Sequence, residues 1–235
     1  MSLPVIMPSN NSNAHRLELN HPGRMALLMG PGGWRTPRSL PFSLDNGRFV
    51  CWSKGQAWDE SEFNRLTDAA MLHAIDGGGC FPSWLVVPDV VGDAVATFEE
   101  WRLREPRLRQ SLGVPLALAV QDGMTPESVR NNANPDVIFI GGSTEWKRRT
   151  VWNWCHEFPR VHVGRVNTAK WLWNAHRCGA ESTDGTGWFR GDKRQLRGLV
   201  GYLQRSDKGL GPFQQDLEFA RTFGGNVPKV SATGG

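Results

Sequence analysis

The sequence predicts an α/β fold, a single TIM-type (β/α)8 barrel with parallel strands. Two observations predict it. Short, continuous apolar runs alternate along the chain with segments of helical pattern, which is typical of strands buried on both faces of a parallel sheet. Nearly every run ends in a polar residue or a glycine. The 235 residues are enough for one large domain or two small ones.

Seven strands are predicted from the apolar runs. They lie within residues 25–30, 40–47, 84–90, 115–123, 136–142, 160–166 and 179–185. A closed barrel needs an eighth strand, which no remaining run predicts. The alternative is an open doubly wound sheet, which normally carries a glycine-rich phosphate loop after its first strand. The segment "GPGGWRTP" lacks the G-x-G-x-x-G spacing, so the barrel is favoured.

Helical segments fill the intervals between the runs. Phe63, Leu66 and Ala70 share one face of a helix, and Thr125 is the expected N-cap of another. A third helix is expected to stop before Pro106. The resulting domain prediction is a loosely ordered N-terminal arm, a catalytic barrel domain and a C-terminal tail, over residues 1–24, 25–224 and 225–235.

Composition excludes some classes of protein. The four cysteines form no C-x-x-C pair, so neither a disulfide framework nor a structural zinc site is expected, and no metal or cofactor is predicted. No apolar window is long enough to span a membrane and no signal peptide is visible, which predicts a soluble cytoplasmic protein.

Most of the eleven tryptophans are expected in the core. One or two near strand ends would suit stacking on a base, but composition does not say which.

Polar residues or glycines follow five of the predicted strands. In a parallel barrel these strand ends meet on one face, where catalytic residues lie. Each residue also has a structural interpretation, such as an Asn-Gly turn at 46–47 or a loop-capping amide. Burying several carboxylates together is unfavourable unless a ligand uses them. The set comprises Asp45, Asn46, Asp89, Gln121, Gly141, Gly142 and Asp184.

The chemistry of this set fits a purine. Guanine presents the acceptor O6 beside the donors N1–H and the 2-amino group. Asp89 matches the two donors, Gln121 serves either type, and the Gly141-Gly142 backbone offers N–H groups to O6. Asp45 and Asp184 remain, and two carboxylates suit a nucleophile and a general acid/base at a glycosidic bond.

The ordered series of motifs resembles the tRNA-guanine transglycosylase superfamily. The likeness covers roughly residues 25–190 and is carried by "SLDNGRF", "VQDG", "FIGGS" and "VHVGRVNTAKWLWNAHRCGAESTDGT". It implies an enzyme that exchanges guanine in a polynucleotide for a free 7-deazaguanine base. By motif match Asp184 is the nucleophile at C1′ and Asp45 transfers the proton. The base edge is read by Asp89, Gln121 and Gly142, with Gly141. Asn46 also belongs to this substrate-binding set.

One departure from the family concerns zinc. The tRNA enzymes carry a cysteine-rich zinc subdomain after the nucleophile, whereas no cysteine follows Asp184 here. This pattern resembles the compact, zinc-less DNA-modifying branch of bacteriophages and some bacterial gene clusters. DNA is therefore the expected partner, tRNA is less favoured, and the cytoplasm is that of a bacterium or a phage-infected host.

Basic residues cluster near the predicted strand ends, although the net charge is only +4. They form either solvated helix faces or a rim that contacts phosphates. The candidates for a DNA backbone groove include Lys147, Arg148, Arg149, Arg190, Lys193 and Arg194. Two other hypotheses stay open: a non-catalytic barrel that binds nucleobases or nucleotides, and an unrelated barrel hydrolase with paired carboxylates.

Overall fold

The computed structural model describes residues 3–76, 79–190 and 193–212, which form a TIM-type (β/α)8 barrel. All strand pairs are parallel, in the order β1-β8-β7-β6-β5-β4-β3-β2. The strands are β1 Val5–Ile6, β2 Leu27–Met29, β3 Phe42–Leu44, β4 Leu85–Val86, β5 Leu116–Val120, β6 Val137–Ile140, β7 Val161–Val163 and β8 Ser182–Thr183.

Helices surround the sheet. They are α1 Ser12–Asn20, α2 Arg48–Ser53, α3 Glu60–Asp76, α4 Ala94–Leu112, α5 Pro126–Asn132, α6 Thr144–Glu157, α7 Ala169–Cys178 and α8 Lys193–Ser206, with a 3-10 turn at Gly187–Phe189. Within the described part of the chain, none of these helices is both long and apolar enough to cross a membrane.

Each of the seven predicted apolar runs contains one observed strand, so the barrel prediction is confirmed. The eighth strand is β1. It pairs with β8, and the barrel closes where the Ile6 N–H donates to the carbonyl of Arg24 (2.9 Å) and the Ala26 N–H donates to that of Ile6 (3.0 Å).

The predicted loose arm over residues 1–24 is therefore wrong for residues 3–24. Val5 and Ile6 complete the sheet, and Asn11 caps α1 by accepting a hydrogen bond from the Ala14 N–H at 3.0 Å. A two-residue strand has no measurable periodicity, and it is ordered by partners on both sides rather than by its own sequence. Of the predicted C-terminal regions, residues 213–224 and the tail 225–235 lie outside the described residues.

The prediction that a helix stops before Pro106 is also wrong, because α4 continues to Leu112. Phe98 and Trp101 are buried on its inner side, and Arg109 pairs with Glu105 across the proline at 2.5 Å. Tertiary packing thus offsets the missing backbone donor. The Thr125 N-cap is confirmed, since its hydroxyl accepts from the Ser128 N–H at 3.1 Å.

The apolar core has two layers. The larger one lies between the strands and the helices, and a smaller one fills the barrel interior around Met7, Trp84 and Val86. The small side chains of Ala117 and Ala119 face this interior layer and leave room for Trp84. Above it, at the carboxyl ends of the strands, the interior opens into a cavity.

Candidate active site

The cavity occupies about 810 Å³ at the carboxyl ends of the strands. All of the predicted strand ends contribute residues to its wall. The fold thus brings together motifs that are up to 139 positions apart in the sequence, the distance from Asp45 to Asp184. The predicted residues that line it are Asp45, Asn46, Asp89, Gln121, Gly141, Gly142 and Asp184.

Asp184 directly follows β8 and is held through one carboxylate oxygen. Its Oδ1 accepts hydrogen bonds from His162 Nε2 and from the Arg165 N–H, each at 3.0 Å. Its carbonyl accepts from the Val166 N–H at 2.6 Å, which fixes the backbone. Among the residues that the structure describes, none donates a hydrogen bond to Oδ2. The side chain is 15% exposed and lines the cavity. Oδ2 is therefore the oxygen at the cavity wall that the described residues leave without a hydrogen bond.

His162 was not predicted, and it is the polar residue behind Asp184. It lies on β7, is fully buried, and stacks on Phe139 with ring centroids 4.7 Å apart. Its Nδ1 is 2.8 Å from the hydroxyl oxygen of Ser182. A neutral ring satisfies both contacts when Nε2–H donates to Asp184 and Ser182 donates to Nδ1. A histidine at an inward position of an apolar strand was the available sequence signal.

Asp45 follows β3 and lies half-buried in the cavity wall. Desolvation raises the pKa of its carboxyl to about 7, with further increases from the charges of Asp184 and Asp89. Backbone N–H groups of Asn46 and Gly47 oppose this pKa shift. A pKa of about 7 is in the range that suits a general acid/base.

Asp89 follows β4 and is buried in a network of amides. Its Oδ1 accepts from Asn46 Nδ2 at 2.8 Å and its Oδ2 from Gln121 Nε2 at 2.6 Å. Burial raises the pKa of Asp89 to about 6 despite these hydrogen bonds. Gln121 Oε1 accepts from the Gly92 N–H at 3.0 Å, which orients the amide group toward Asp89. The network thus fixes the acceptors available to a ligand before it binds.

Asn46 has a supporting position in this network. Its Nδ2 also donates to the carbonyl of Val87 at 3.0 Å, and its Oδ1 accepts from the Arg48 N–H at 2.8 Å. Both amide hydrogens and the oxygen are therefore engaged by the protein. Although Asn46 lines the cavity, its contacts serve to orient Asp89.

The two glycines after β6 differ in function. The Gly141 N–H donates to the Val120 carbonyl at 3.1 Å, so the expectation that it is available to a ligand is wrong. This bond simply continues the β5–β6 ladder. The Gly142 N–H has no acceptor within residues 3–76, 79–190 and 193–212. Gly142 has φ 44°, and a Cβ there would lie 2.5 Å from Asp122 Oδ1, so only glycine fits.

Arg165 connects several parts of the site, and sequence reasoning missed it. Its backbone has φ 60°, an uncommon conformation for a residue with a side chain. Its guanidinium donates to the carbonyls of Gly142 and Gly141 and lies 4.1 Å from the centroid of the Phe49 ring. Together with the bond from its N–H to Asp184, Arg165 links β6, β7, β8 and α2.

Lys147, one of the basic candidates, is buried rather than exposed to a polynucleotide. Its ammonium group donates to the Gly164 carbonyl at 2.5 Å. Desolvation, followed by the nearby charge of Arg165, lowers its pKa to about 7. Lys147 therefore supports the turn that carries Arg165.

The other basic candidates lie on or beside helices that begin on the cavity side of the barrel. Arg190 is exposed and lines the cavity. Arg149 is exposed and pairs with Glu145 at 3.5 Å, while the guanidinium of Arg148 is 5.9 Å from the centroid of Trp171. The remaining candidates, Lys193 and Arg194, begin α8. Of the five, Arg190 is the one that the structure brings to the cavity itself.

Comparison with known proteins assigns no family. No protein-family model and no curated protein matches this chain. Within the described residues, no group of three or more His, Cys, Asp or Glu side chains is arranged to hold a metal ion. The side chains around the cavity therefore carry the functional interpretation.

Proposed function

We propose that this protein is a base-exchange transglycosylase that replaces guanine in a polynucleotide, with DNA favoured, by a 7-deazaguanine. The observation that carries the proposal is the pair of carboxylates in one cavity. Asp184 is fixed through Oδ1 alone, and Asp45 has a pKa of about 7. This difference suits one nucleophile and one proton-transfer group.

In the first half-reaction, the target nucleotide leaves its stack and enters the cavity. Asp184 Oδ2 attacks C1′ of the sugar while the bond from C1′ to guanine N9 breaks. The electron pair of that bond moves to the purine, which takes a proton from Asp45 as it departs. A covalent sugar ester on Asp184 remains, and Asp45 is ionised.

In the second half-reaction, a 7-deazaguanine occupies the vacated position. Asp45 removes the proton from its five-membered ring nitrogen, which then attacks C1′ and displaces Asp184. One glycosidic bond breaks and one forms, and Asp45 regains its proton. The exchange therefore needs no external energy source.

Recognition of the base relies on the buried amide–carboxylate network. Asp89 would accept from N1–H and the 2-amino group, and the Gly142 N–H would donate to O6. Gln121 and Asn46 hold Asp89 in place through hydrogen bonds of 2.6 and 2.8 Å. A base without these two donors would displace water from Asp89 without replacing its hydrogen bonds, so adenine should be rejected.

The preference for DNA rests on the resemblance to the compact, zinc-less branch of the superfamily. Residues 185–235 contain no cysteine, whereas the tRNA enzymes carry their zinc-binding motif after the nucleophile. The exposed Arg190 at the cavity supports an anionic polymer as substrate but does not distinguish DNA from RNA.

The test is release of labelled guanine from DNA and, in a separate reaction, from tRNA, with and without added 7-deazaguanine. We expect release from DNA together with a protein–DNA adduct that survives denaturation. Asp184→Asn should abolish both while leaving the fold and free-guanine binding intact. Asp68→Asn, the same chemical change at an exposed position of α3, is the matched control.

Each contrary outcome identifies another class of protein. Full exchange by Asp184→Asn would refute the assignment of the nucleophile. Saturable binding of guanine without release or adduct would indicate a non-catalytic binder. Release of guanine from tRNA but not from DNA would show that tRNA is the substrate. Hydrolysis of a glycoside in the absence of nucleic acid would indicate a barrel hydrolase.

A further inference from the structure

Helix α2 lies over the cavity and carries apolar side chains that the fold does not bury. None of its six residues is buried. Val50 is 47% exposed and Trp52 is 61% exposed. Short helices on a barrel normally turn such residues toward the core, and exposed groups of them mark a contact with another molecule.

These side chains face the same cavity as the carboxylates. Phe49, Val50 and Trp52 contribute to its wall. Two of the eleven tryptophans have large exposed areas, Trp52 and Trp152. Trp152 is 40% exposed, lies away from the cavity on α6, and stacks on His156 at 5.0 Å. Trp52 is therefore the tryptophan that the structure offers to a ligand at the site.

The aromatic surface of α2 formed by Phe49 and Trp52, called the platform below, is held in place by contacts with the rest of the protein, although Trp52 is exposed. The guanidinium of Arg165 lies 4.1 Å from the Phe49 centroid, and the Phe49 and Trp52 rings are 5.8 Å apart with an interplanar angle of 35°. At the start of α2, Arg48 lies 4.0 Å from the Trp58 centroid and pairs with Glu100 at 3.3 Å. These contacts fix the helix, so a ligand need not order it.

Two exposed cations line the same cavity as these aromatic side chains. Lys54, the C-cap residue of α2, is exposed and lines the cavity, as does Arg190, which follows the last strand. The exposed face of one aromatic ring in a cavity that is also lined by exposed cations matches one unit of a single-stranded nucleic acid. Its base has a π-face to stack and its phosphate carries a charge. A free nucleobase in the cavity would need neither cation.

We propose that α2 is a stacking platform for the base adjacent to the target nucleotide in an unpaired strand, with Trp52 as the stacking ring. Lys54 and Arg190 receive the neighbouring phosphates. The identity of the target nucleotide rests on the proposed function, whereas the stacking contact can be measured without any reaction. The platform would hold the strand open while its neighbour occupies the cavity.

The experiment measures binding of a short fluorescent single-stranded oligodeoxynucleotide with one central guanine, by anisotropy. A second oligodeoxynucleotide has abasic sites on both sides of that guanine, and the same pair is made in RNA. The variants are Trp52→Ala, Trp52→Phe and the matched control Trp152→Ala. Equilibrium dialysis with free guanine provides a measurement that stacking of a flanking base does not affect.

We expect Trp52→Ala to weaken binding of the complete strand roughly ten- to a hundredfold, the range found when one base–aromatic stack is removed. Trp52→Phe should retain most of the affinity, and Trp152→Ala should match the wild type. The abasic strand should bind wild type weakly and lose nothing more in Trp52→Ala, because the two changes remove the same contact. Guanine binding should match wild type in Trp152→Ala, and in Trp52→Ala it should fall much less than binding of the complete strand does.

The proposal is overturned if Trp52→Ala binds the complete strand as well as wild type does. It is also overturned if the variant weakens both strands equally, or if wild type binds neither DNA nor RNA strands. Failure of the proposed function would look different. Strand binding that depends on Trp52 but is not followed by guanine release would refute the proposed transglycosylase activity and support the platform. Guanine exchange that does not depend on Trp52 would support the activity and refute the platform.

Discussion

Replacement of Asp45 by asparagine should stabilise the protein at alkaline pH. The carboxyl of Asp45 is half-buried at the cavity wall and lies near two other carboxylates, Asp89 and Asp184. Desolvation and these charges raise its pKa from 3.8 to about 7. The folded state thus holds this proton more tightly than the unfolded chain does. Above pH 7 the folded state has to carry an unfavourable charge that asparagine lacks.

The sign and the size follow from proton linkage. Between pH 4 and pH 7 the folded protein binds more protons than the unfolded chain, so the free energy of unfolding falls as pH rises. A pKa difference of about 3 units corresponds to about 4 kcal/mol at 1.36 kcal/mol per unit. This figure is an upper bound, because the repulsion is shared with Asp89 and Asp184.

Urea unfolding followed by tryptophan fluorescence, repeated from pH 4 to pH 8, measures this free energy. The difference between Asp45→Asn and wild type should be smallest at pH 4 and should increase by a few kcal/mol up to pH 8. Asp68→Asn, at an exposed position, should show a constant difference. A constant difference for Asp45→Asn would refute the raised pKa. The same variant should lose base exchange, since an amide cannot transfer the proton that the proposed reaction requires.

Two further substitutions test the support of the nucleophile. His162→Phe keeps an aromatic ring beside Phe139 but removes the 3.0 Å hydrogen bond to Asp184. Adduct formation in a single turnover should slow about ten- to a hundredfold with guanine affinity unchanged, and an unaltered rate would exclude this positioning role. Gly185→Ala places a Cβ 2.2 Å from the Val166 carbonyl, whereas Gly201→Ala in α8 meets nothing within 4 Å. Thermal unfolding should show strong destabilisation of the first variant only, and equal melting temperatures would contradict the steric crowding at Gly185.

The strands that the sequence predicted share one property. Each apolar run, such as 115–123 or 136–142, is long enough to be recognised without its neighbours. β1 is not, because Val5 and Ile6 form a strand only between β8 and the chain at Met25. Pro106 failed as a helix stop for a related reason, since the packing of α4 outweighs a local preference.

The site divides in the same way. The positions of Asp45, Asp89 and Asp184 at strand ends could be predicted because a carboxylate at the end of an apolar run is a local pattern. His162 and Arg165 were missed, because their importance lies in contacts with Asp184, which is 22 and 19 positions away.

The sequence by itself determined the barrel and the residue types at its strand ends, because apolar periodicity and terminal polarity are properties of short segments. Only the tertiary structure decided which oxygen of Asp184 is held, which carboxyl keeps a proton near pH 7, and which glycine N–H stays available. It also singled out Trp52 among eleven tryptophans. Hydrogen bonding, desolvation and exposure depend on neighbours that are distant in sequence, and these neighbours exist only once the barrel has closed.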